Sequence, residues 1–265
     1  MNIIDKDILG AQDVYNTKYS PNYNKVYYNT NEDLINLFNN VNINNKDVLT
    51  VLGSGDQSFV CYEKDARSVD VFDINKLTIY YYYLRVWVIE HLNTFYPENK
   101  FDKNYIYKIL DLVVPKTEDE MNAYNYWKVF VSKNFIDYSR FFYFTNYFKI
   151  TDVNLDKIKR RLMERNFTFY NVDISKPWIH DKKYDVIITS NISDYIPKTI
   201  DSFICYRDNL CNLLKDDGIV LCSKIGYNTS SCERDSFKDV FKRNSFSKKW
   251  TCGKLESPGY SYKKR

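Results

Sequence analysis

Two glycines one residue apart, Gly53-Ser54-Gly55, close an apolar run, Asp47-Val-Leu-Thr-Val-Leu, and open onto Asp56-Gln57. Glycine at alternate positions lets the main chain turn sharply and approach a ligand that a Cβ would push away. The chain has only seven glycines, so a pair this close marks a built loop rather than a chance turn. Asp73 ends the next apolar run, Ser68-Val-Asp-Val-Phe-Asp, eighteen residues after Gly55. That is close to the separation, about 20 residues, at which an acid bonds the hydroxyls of a ribose. Asn75 can cap the helix that follows and so leave Asp73 available. A third acid, Asp173, ends Phe167-Thr-Phe-Tyr-Asn-Val-Asp and can accept from the exocyclic amine of an adenine. Ile174 and Ile74 then offer apolar faces to the base. In an open α/β sheet a ligand lies beyond the carboxyl ends of the strands. The glycine loop and the two strand-end acids therefore place one adenosine along one sheet edge.

The elements that must position these residues follow from hydrophobic periodicity. Asp47–Leu52, Ser68–Asp73, Phe167–Asp173, Tyr184–Ser190 and Ile219–Lys224 read as strands. Between them, residues 58–64 form a short helix, a long helix runs from Asn75 to about Phe95, and Ile200–Leu214 forms another that stops at Asp216-Asp217-Gly218. Leu34, Leu37 and Phe38 share one face of a short amphipathic helix near the N-terminus. Strands alternating with helices predict an α/β fold, a Rossmann-like, doubly wound, mostly parallel sheet. A helix at Asp235–Phe241 and two strands about Ser257-Pro258-Gly259 predict an antiparallel C-terminal pair at a sheet edge. One domain over 1–265 is expected, with 1–45 as an N-terminal extension or lid and 97–160 as a helical insertion. Helical segments are expected there at Tyr105–Val113, Ala123–Phe130 and Phe141–Phe148.

Composition narrows the function classes. A net charge of +4 is too small a bias for a dedicated nucleic-acid binder, so no specific nucleic-acid signal is present. Six cysteines without a Cys-x-x-Cys pair, and only His91 and His180, leave no zinc pattern, and no metal is expected. Cys205, Cys211 and Cys222 lie in apolar patterns that suit free thiols, and a cytoplasmic location is expected. The N-terminus has no apolar core of a signal peptide. No apolar run reaches the roughly 18–20 residues of a membrane span, because Ile79–Leu92 carries Arg85, Glu90 and His91. His180 precedes a charged turn and reads as a surface residue.

A dinucleotide loop has a third glycine, where this chain has Ser58, and the loop carries no basic residue suited to phosphate. The order and spacing instead resemble class I S-adenosylmethionine-dependent transferases. Residues 47–75 and 167–225, roughly a third of the chain, carry that resemblance. Asn31-Glu32-Asp33-Leu34 ahead of the glycine loop, Val71-Phe72-Asp73-Ile74-Asn75, and Thr189-Ser190-Asn191-Ile192-Ser193-Asp194-Tyr195 are similar to the betaine-lipid synthase branch. That branch transfers a 3-amino-3-carboxypropyl group rather than methyl. Asn31 stands where the branch has Trp, which leaves the acceptor open, and the Asn-Pro-Pro-Tyr of amino-methylating nucleic-acid enzymes is absent.

The resemblance implies S-adenosyl-L-methionine as cofactor, held by Gly53, Ser54, Gly55, Asp56, Gln57, Asp73, Ile74, Asn75, Asp173, Ile174, Ser190 and Asn191. Asp194 is then placed to take a proton from the acceptor and Tyr195 to orient it, unless Asp194 caps the next helix. Displacement at a sulfonium has a good leaving group, so positioning and desolvation can carry most of the acceleration without a strong base. Methyl transfer to a small-molecule or lipid-like acceptor is the expected chemistry. Aminocarboxypropyl transfer and a nucleoside-binding module without turnover are the alternatives, with an NAD-dependent enzyme behind them. A lipid acceptor would suit the basic C-terminal residues Lys248, Lys249, Lys263, Lys264 and Arg265 at an anionic membrane surface. The insertion is rich in aromatics, which at helical spacing are core before they are a lid or acceptor pocket. Oligomeric state is left open.

Overall fold

The computed structural model describes residues 26–30, 34–39, 41–94, 103–132, 142–143, 153–164, 167–192, 195–196, 199–222, 246–251 and 259–264. In chain order the described elements begin with β1 (Val26–Tyr27), α1 (Leu34–Asn39), β2 (Asp47–Val51), α2 (Asp56–Glu63), β3 (Ser68–Asp73) and α3 (Leu77–Leu92). There follow α4 (Lys103–Leu110), α5 (Glu118–Ser132), β4 (Phe142–Tyr143), α6 (Leu155–Met163), β5 (Phe169–Asn171) and β6 (Tyr184–Ser190). The last are α7 (Ile200–Leu213), β7 (Leu214–Cys222), β8 (Phe246–Thr251) and β9 (Gly259–Lys264). The chain divides into two compact units. One comprises Met1–Asn31, Leu52–Glu63 and Asn75–Asn166, the other Glu32–Val51, Lys64–Ile74 and Phe167–Arg265.

The second unit holds a seven-stranded sheet in the order β5-β3-β2-β6-β7-β9-β8. The first five strands in that order are parallel. β9 runs antiparallel between β7 and β8. The fold is therefore the expected α/β, Rossmann-like one with a mostly parallel sheet. Counted along the chain, the parallel strands stand in the order third, second, first, fourth, fifth, as in a doubly wound sheet. The late antiparallel strand departs from six parallel dinucleotide-binding strands. β2 and β6 are central and buried, which is why they read as continuous apolar runs rather than alternating ones. β5, at the edge, is half-exposed. On α7, Phe203, Tyr206, Leu210 and Leu213 form a helical stripe that packs with Leu49, Val51, Phe72 and Ile187 in one core. Leu34 and Phe38 of α1 are buried, as their shared face requires.

Charges organise the amino end of the same sheet. Asp47, which opens β2, takes a forked contact from Arg67 and accepts from Lys215 at 2.7 Å. Lys215 also reaches Asp185 at 2.9 Å, and the Asp47 amide donates to Asp185 at 2.8 Å. The Arg67 hydrogen bond, outweighing partial burial, holds the Asp47 carboxyl well below the usual carboxylate range. Asp70 is buried but satisfied, accepting from Lys182 at 2.6 Å, the Tyr184 hydroxyl at 2.8 Å and the Thr168 amide at 3.1 Å. Burial first, and Asp70 second, push the Tyr184 phenol far above its ordinary value.

In the first unit α3 is the hub. Residues from Leu77 to Ile89 are buried, so the helix is covered on all sides, as its all-round apolar sequence implies. It ends at Leu92 rather than near Phe95, because Asn93 adopts the left-handed conformation that terminates helices. Trp127 of α5 donates to the Tyr80 carbonyl at 2.7 Å, and Tyr126 stacks on Tyr80 at 4.6 Å. Tyr126 and Trp127 are thus part of the core. The expected helix over Phe141–Phe148 is corrected at 142–143, which pair in parallel with β1. A short aromatic run fits a strand ladder as well as a helix, and periodicity alone does not separate the two. The remainder of that segment and the expected helix at 235–241 lie outside the described residues.

Candidate cofactor site

The glycine loop lies in the first unit and follows β2 directly in the chain. The Gly55 amide donates to the Leu52 carbonyl at 2.6 Å, which closes the turn. Both glycines have positive φ, 50° at Gly53 and 88° at Gly55, a region disfavoured for residues with a Cβ. The two differ in what a side chain would meet. A Cβ on Gly55 would lie 2.7 Å from Cδ2 of Tyr82, whereas one on Gly53 has no atom of the described residues within 4 Å. The steric demand at Gly55 thus comes from the protein's own α3, and among the described residues nothing imposes one at Gly53. Ser58, in the third-glycine slot, donates its hydroxyl to the Gly55 carbonyl at 2.7 Å and ties the first turn of α2 to the loop.

The Asp56 carboxylate, one of the candidate cofactor contacts, is turned into the protein. It accepts from Arg85 at 2.6 Å, the Thr30 amide at 2.5 Å and the Ser54 hydroxyl at 2.9 Å. Gln57, beside it on α2, is buried. Arg85 on α3 is also completely buried, bonds the Ser54 carbonyl at 2.7 Å, and stacks over Phe59 at 4.8 Å. Its signal in the sequence is a charge inside the otherwise apolar and aromatic stretch Ile79–Ile89. An arginine inside an apolar helix must find a carboxylate when buried. Nearby, Tyr81 donates to the Tyr28 carbonyl at 2.8 Å. Burial lifts the Tyr28 phenol to about 12 against the pull of Arg85. Asn75 accepts from the Leu77 amide at 3.0 Å, and its carbonyl accepts from Thr78 at 2.7 Å, the capping role expected at the start of α3.

In the second unit, β3, β5 and β6 run parallel, so their carboxyl ends share one sheet edge. That edge brings together Asp73, Asp173 and the pair Ser190-Asn191. Asn171 of β5 bonds the carbonyls of Asp73 at 2.9 Å and Ile74 at 3.0 Å, fixing the end of β3. Ile74 is 41% exposed there, an apolar face available to a planar ligand. Asp173 gives Oδ1 to Ser175, at 3.0 Å from its amide and 2.6 Å from its hydroxyl, and Oδ2 faces Lys176 at 3.6 Å. Ile174 is 3% exposed and belongs to the core beside Phe72. The turn made by Asp173 points the next side chain inward, so only Ile74 of the two isoleucines offers an exposed face.

Ser190 has φ of 52°, left-handed for a residue with a Cβ, and donates to Asn191 at 3.3 Å. Such backbone costs about 1–2 kcal/mol and concentrates at functional positions. Tyr195 is half-buried in a turn in which its amide donates to Ile192 at 2.8 Å. Asp194 lies outside the described residues. His180 is corrected from a surface residue to a half-buried member of an aromatic cluster. Its ring centre is 4.7 Å from Tyr170 and 5.5 Å from Trp178, and Nε2 is 3.2 Å from the Tyr184 hydroxyl. Among the described residues no group of three metal-binding side chains occurs, and no helix is long and apolar enough to cross a membrane.

No family model matches the chain, and no curated protein matches it in sequence. Solved structures do resemble it. One is a TehB-like SAM-dependent methyltransferase from Corynebacterium glutamicum, with a TM-score of 0.45, 10% identity, and 86% of this chain and 85% of that one covered. Magnesium protoporphyrin IX methyltransferase from Synechocystis PCC 6803, with bound SAM, gives a TM-score of 0.41 at 13% identity, covering 100% of this chain and 85% of the other. An N-methyltransferase, NodS from Bradyrhizobium japonicum, in complex with S-adenosylhomocysteine, gives 0.42 at 7% identity, covering 87% and 83%. Likenesses at these values decide nothing about chemistry, which rests on the residues themselves.

Proposed function

We propose that the chain is an S-adenosylmethionine-dependent methyltransferase acting on a small-molecule or lipid-like acceptor. The observation that carries the proposal is Gly53. It ends the connection from the first parallel strand at positive φ, with no atom of the described residues where a Cβ would be, as close approach by a ligand requires. Support comes from acids at the ends of two further parallel strands, Asp73 and Asp173, and from the strained Ser190 at a third. The antiparallel β9 and the absence of a third glycine disfavour a dinucleotide.

The cofactor residues follow on that reading. Gly53 and Ser54 lie against the methionine part, Asp73 accepts from the ribose hydroxyls, and Ile74 covers one face of the adenine. Asp173 accepts from the adenine amine through Oδ2 once the exposed Lys176 yields, an exchange that costs little because such surface pairs are weak. Ser190 and Asn191 bond the amino-acid end. Gly55, against Tyr82, and Asp56, bonded to Arg85, shape the glycine loop, and Ile174 belongs to the core. Bound S-adenosylmethionine supplies an activated methyl group. Asp194 takes the acceptor proton and Tyr195 orients the acceptor.

The test is product analysis after incubation with S-adenosylmethionine and pools of small-molecule and lipid acceptors. Acceptor-dependent release of S-adenosylhomocysteine is expected. Release of methylthioadenosine would replace methyl with aminocarboxypropyl transfer. Tight calorimetric binding without any product would leave a binding module, and competition by NAD would overturn the cofactor assignment.

A further inference from the structure

The peptide joining Ser54 to Gly55 is held at both ends. Its N–H donates to the Leu52 carbonyl at 2.6 Å, and its C=O accepts from Arg85 at 2.7 Å. The same Arg85 nitrogen reaches Asp56 at 2.6 Å, and Asp56 in turn holds the Ser54 hydroxyl at 2.9 Å and the Thr30 amide at 2.5 Å. One guanidinium therefore sets the direction of the loop peptide, and one carboxylate fastens the loop to the preceding 26–30 segment. Both side chains are completely buried.

Burying two charges costs several kcal/mol per ion, and a well-packed apolar pair of similar size is often as stable. Stability alone thus gives no reason for an arginine at this point of α3, whose neighbours Leu84, Val86 and Trp87 fill the core without charge. Geometry gives one. A loop with two left-handed glycines has many alternative conformations, and removing them before a ligand arrives lessens the ordering needed on binding.

We propose that Arg85, with Asp56 as its counter-ion, is a positioning residue that pre-sets the glycine loop for the cofactor. This rests on the cofactor reading above for the identity of the ligand, but the ordering of the loop can be read without any ligand. Arg85 acts through the loop main chain and touches neither cofactor nor acceptor.

The experiment compares the full chain with the neutral pair Arg85→Met plus Asp56→Asn, which keeps an acceptor for Thr30 and Ser54 while removing both charges. Thermal denaturation, hydrogen exchange without ligand, and calorimetry with S-adenosylhomocysteine are the readouts. The expected result is a Tm within about 5 °C of the parent and exchange at residues 53–57 faster by about tenfold, with residues 48–50 unchanged. S-adenosylhomocysteine affinity should fall by about ten- to a hundredfold. Parent-like loop exchange and affinity would overturn the proposal, as would equal acceleration at 48–50 and 53–57, which reports loosening of the whole fold. If the parent binds no S-adenosylhomocysteine but the variant loosens only the loop, the cofactor reading falls and the positioning role stands. If the neutral pair does not fold, Arg85→Lys carries the same readouts. A lysine keeps the charge without the planar fork, so loop exchange should rise while Tm holds, and unchanged exchange would overturn the proposal.

Discussion

At the scale of single residues, two glycines of one motif have different physical jobs. Gly55 makes room for Tyr82, so Gly55→Ala should lower stability by about 1–3 kcal/mol through overpacking, visible in denaturant unfolding. Gly53 meets no such neighbour among the described residues, so Gly53→Val should destabilise less, by about 1–2 kcal/mol of backbone strain, and remove S-adenosylhomocysteine binding measured by calorimetry. The reverse ordering of these two effects would show that the ligand approaches at Gly55 instead. Asp73→Ala should weaken cofactor affinity by about 1–3 kcal/mol, the loss of charged hydrogen bonds to ribose; an unaltered Kd in a folded variant would reject that role. The glycine spacing and the strand-end acids were legible in the sequence because they are local signals. The burial of Asp56 and Ile174 was not, because the direction of a side chain at a turn depends on partners far along the chain. Thr30 and Arg85 lie on either side of Asp56 in sequence and meet at its carboxylate only in the fold.

At the scale of elements, the connection from β5 to β6 forms no helix over residues 172–183. Its main chain must find hydrogen bonds elsewhere. Asn209 of α7 supplies them, donating to the carbonyls of Ile174 at 2.7 Å and Lys176 at 2.6 Å and accepting from the Trp178 amide at 3.2 Å. Asn209→Ala should therefore cost about 2–3 kcal/mol, because it leaves buried main-chain groups unsatisfied. A loss below about 0.5 kcal/mol in denaturant unfolding would show that the connection is held otherwise. The strand on either side of this connection was readable from its apolar run. The asparagine that replaces a helix was not, since a lone Asn in an amphipathic helix carries no local sign of what it bonds. The long helix α3 was readable for the opposite reason: a sequence apolar all round can only be stable when covered all round.

At the scale of the whole molecule, charge is used as structure at the amino end of the sheet. Arg67 and Lys215 converge on Asp47 and Asp185, joining the beginnings of β2, β3, β6 and β7. The Asp47 carboxyl is held below its ordinary value of about 3.9, first by the hydrogen bond from Arg67. A carboxyl depressed in the folded state stabilises it above the unfolded value, and that contribution is lost as pH falls from there toward the folded value. Stability should thus drop as pH is lowered through about 4 and below. Asp47→Asn should flatten this acid limb and lower stability near neutral pH by about 1 kcal/mol. Parallel acid limbs for parent and variant, followed by circular dichroism, would refute the assignment.

The sequence by itself determined the alternation of strands and helices, the place of the glycine turn after the first strand of the parallel sheet, and the acids that end the later strands. Each of these is written in periodicity or in residue types that act within a few positions. Only the tertiary structure decided which of those residues are buried and which are exposed. It turned Asp56 toward Arg85, sank Ile174 into the core, left Ile74 exposed, and set Gly55 rather than Gly53 against Tyr82. The physical reason is that burial and hydrogen-bond satisfaction are settled between segments distant in sequence, where no local pattern reaches.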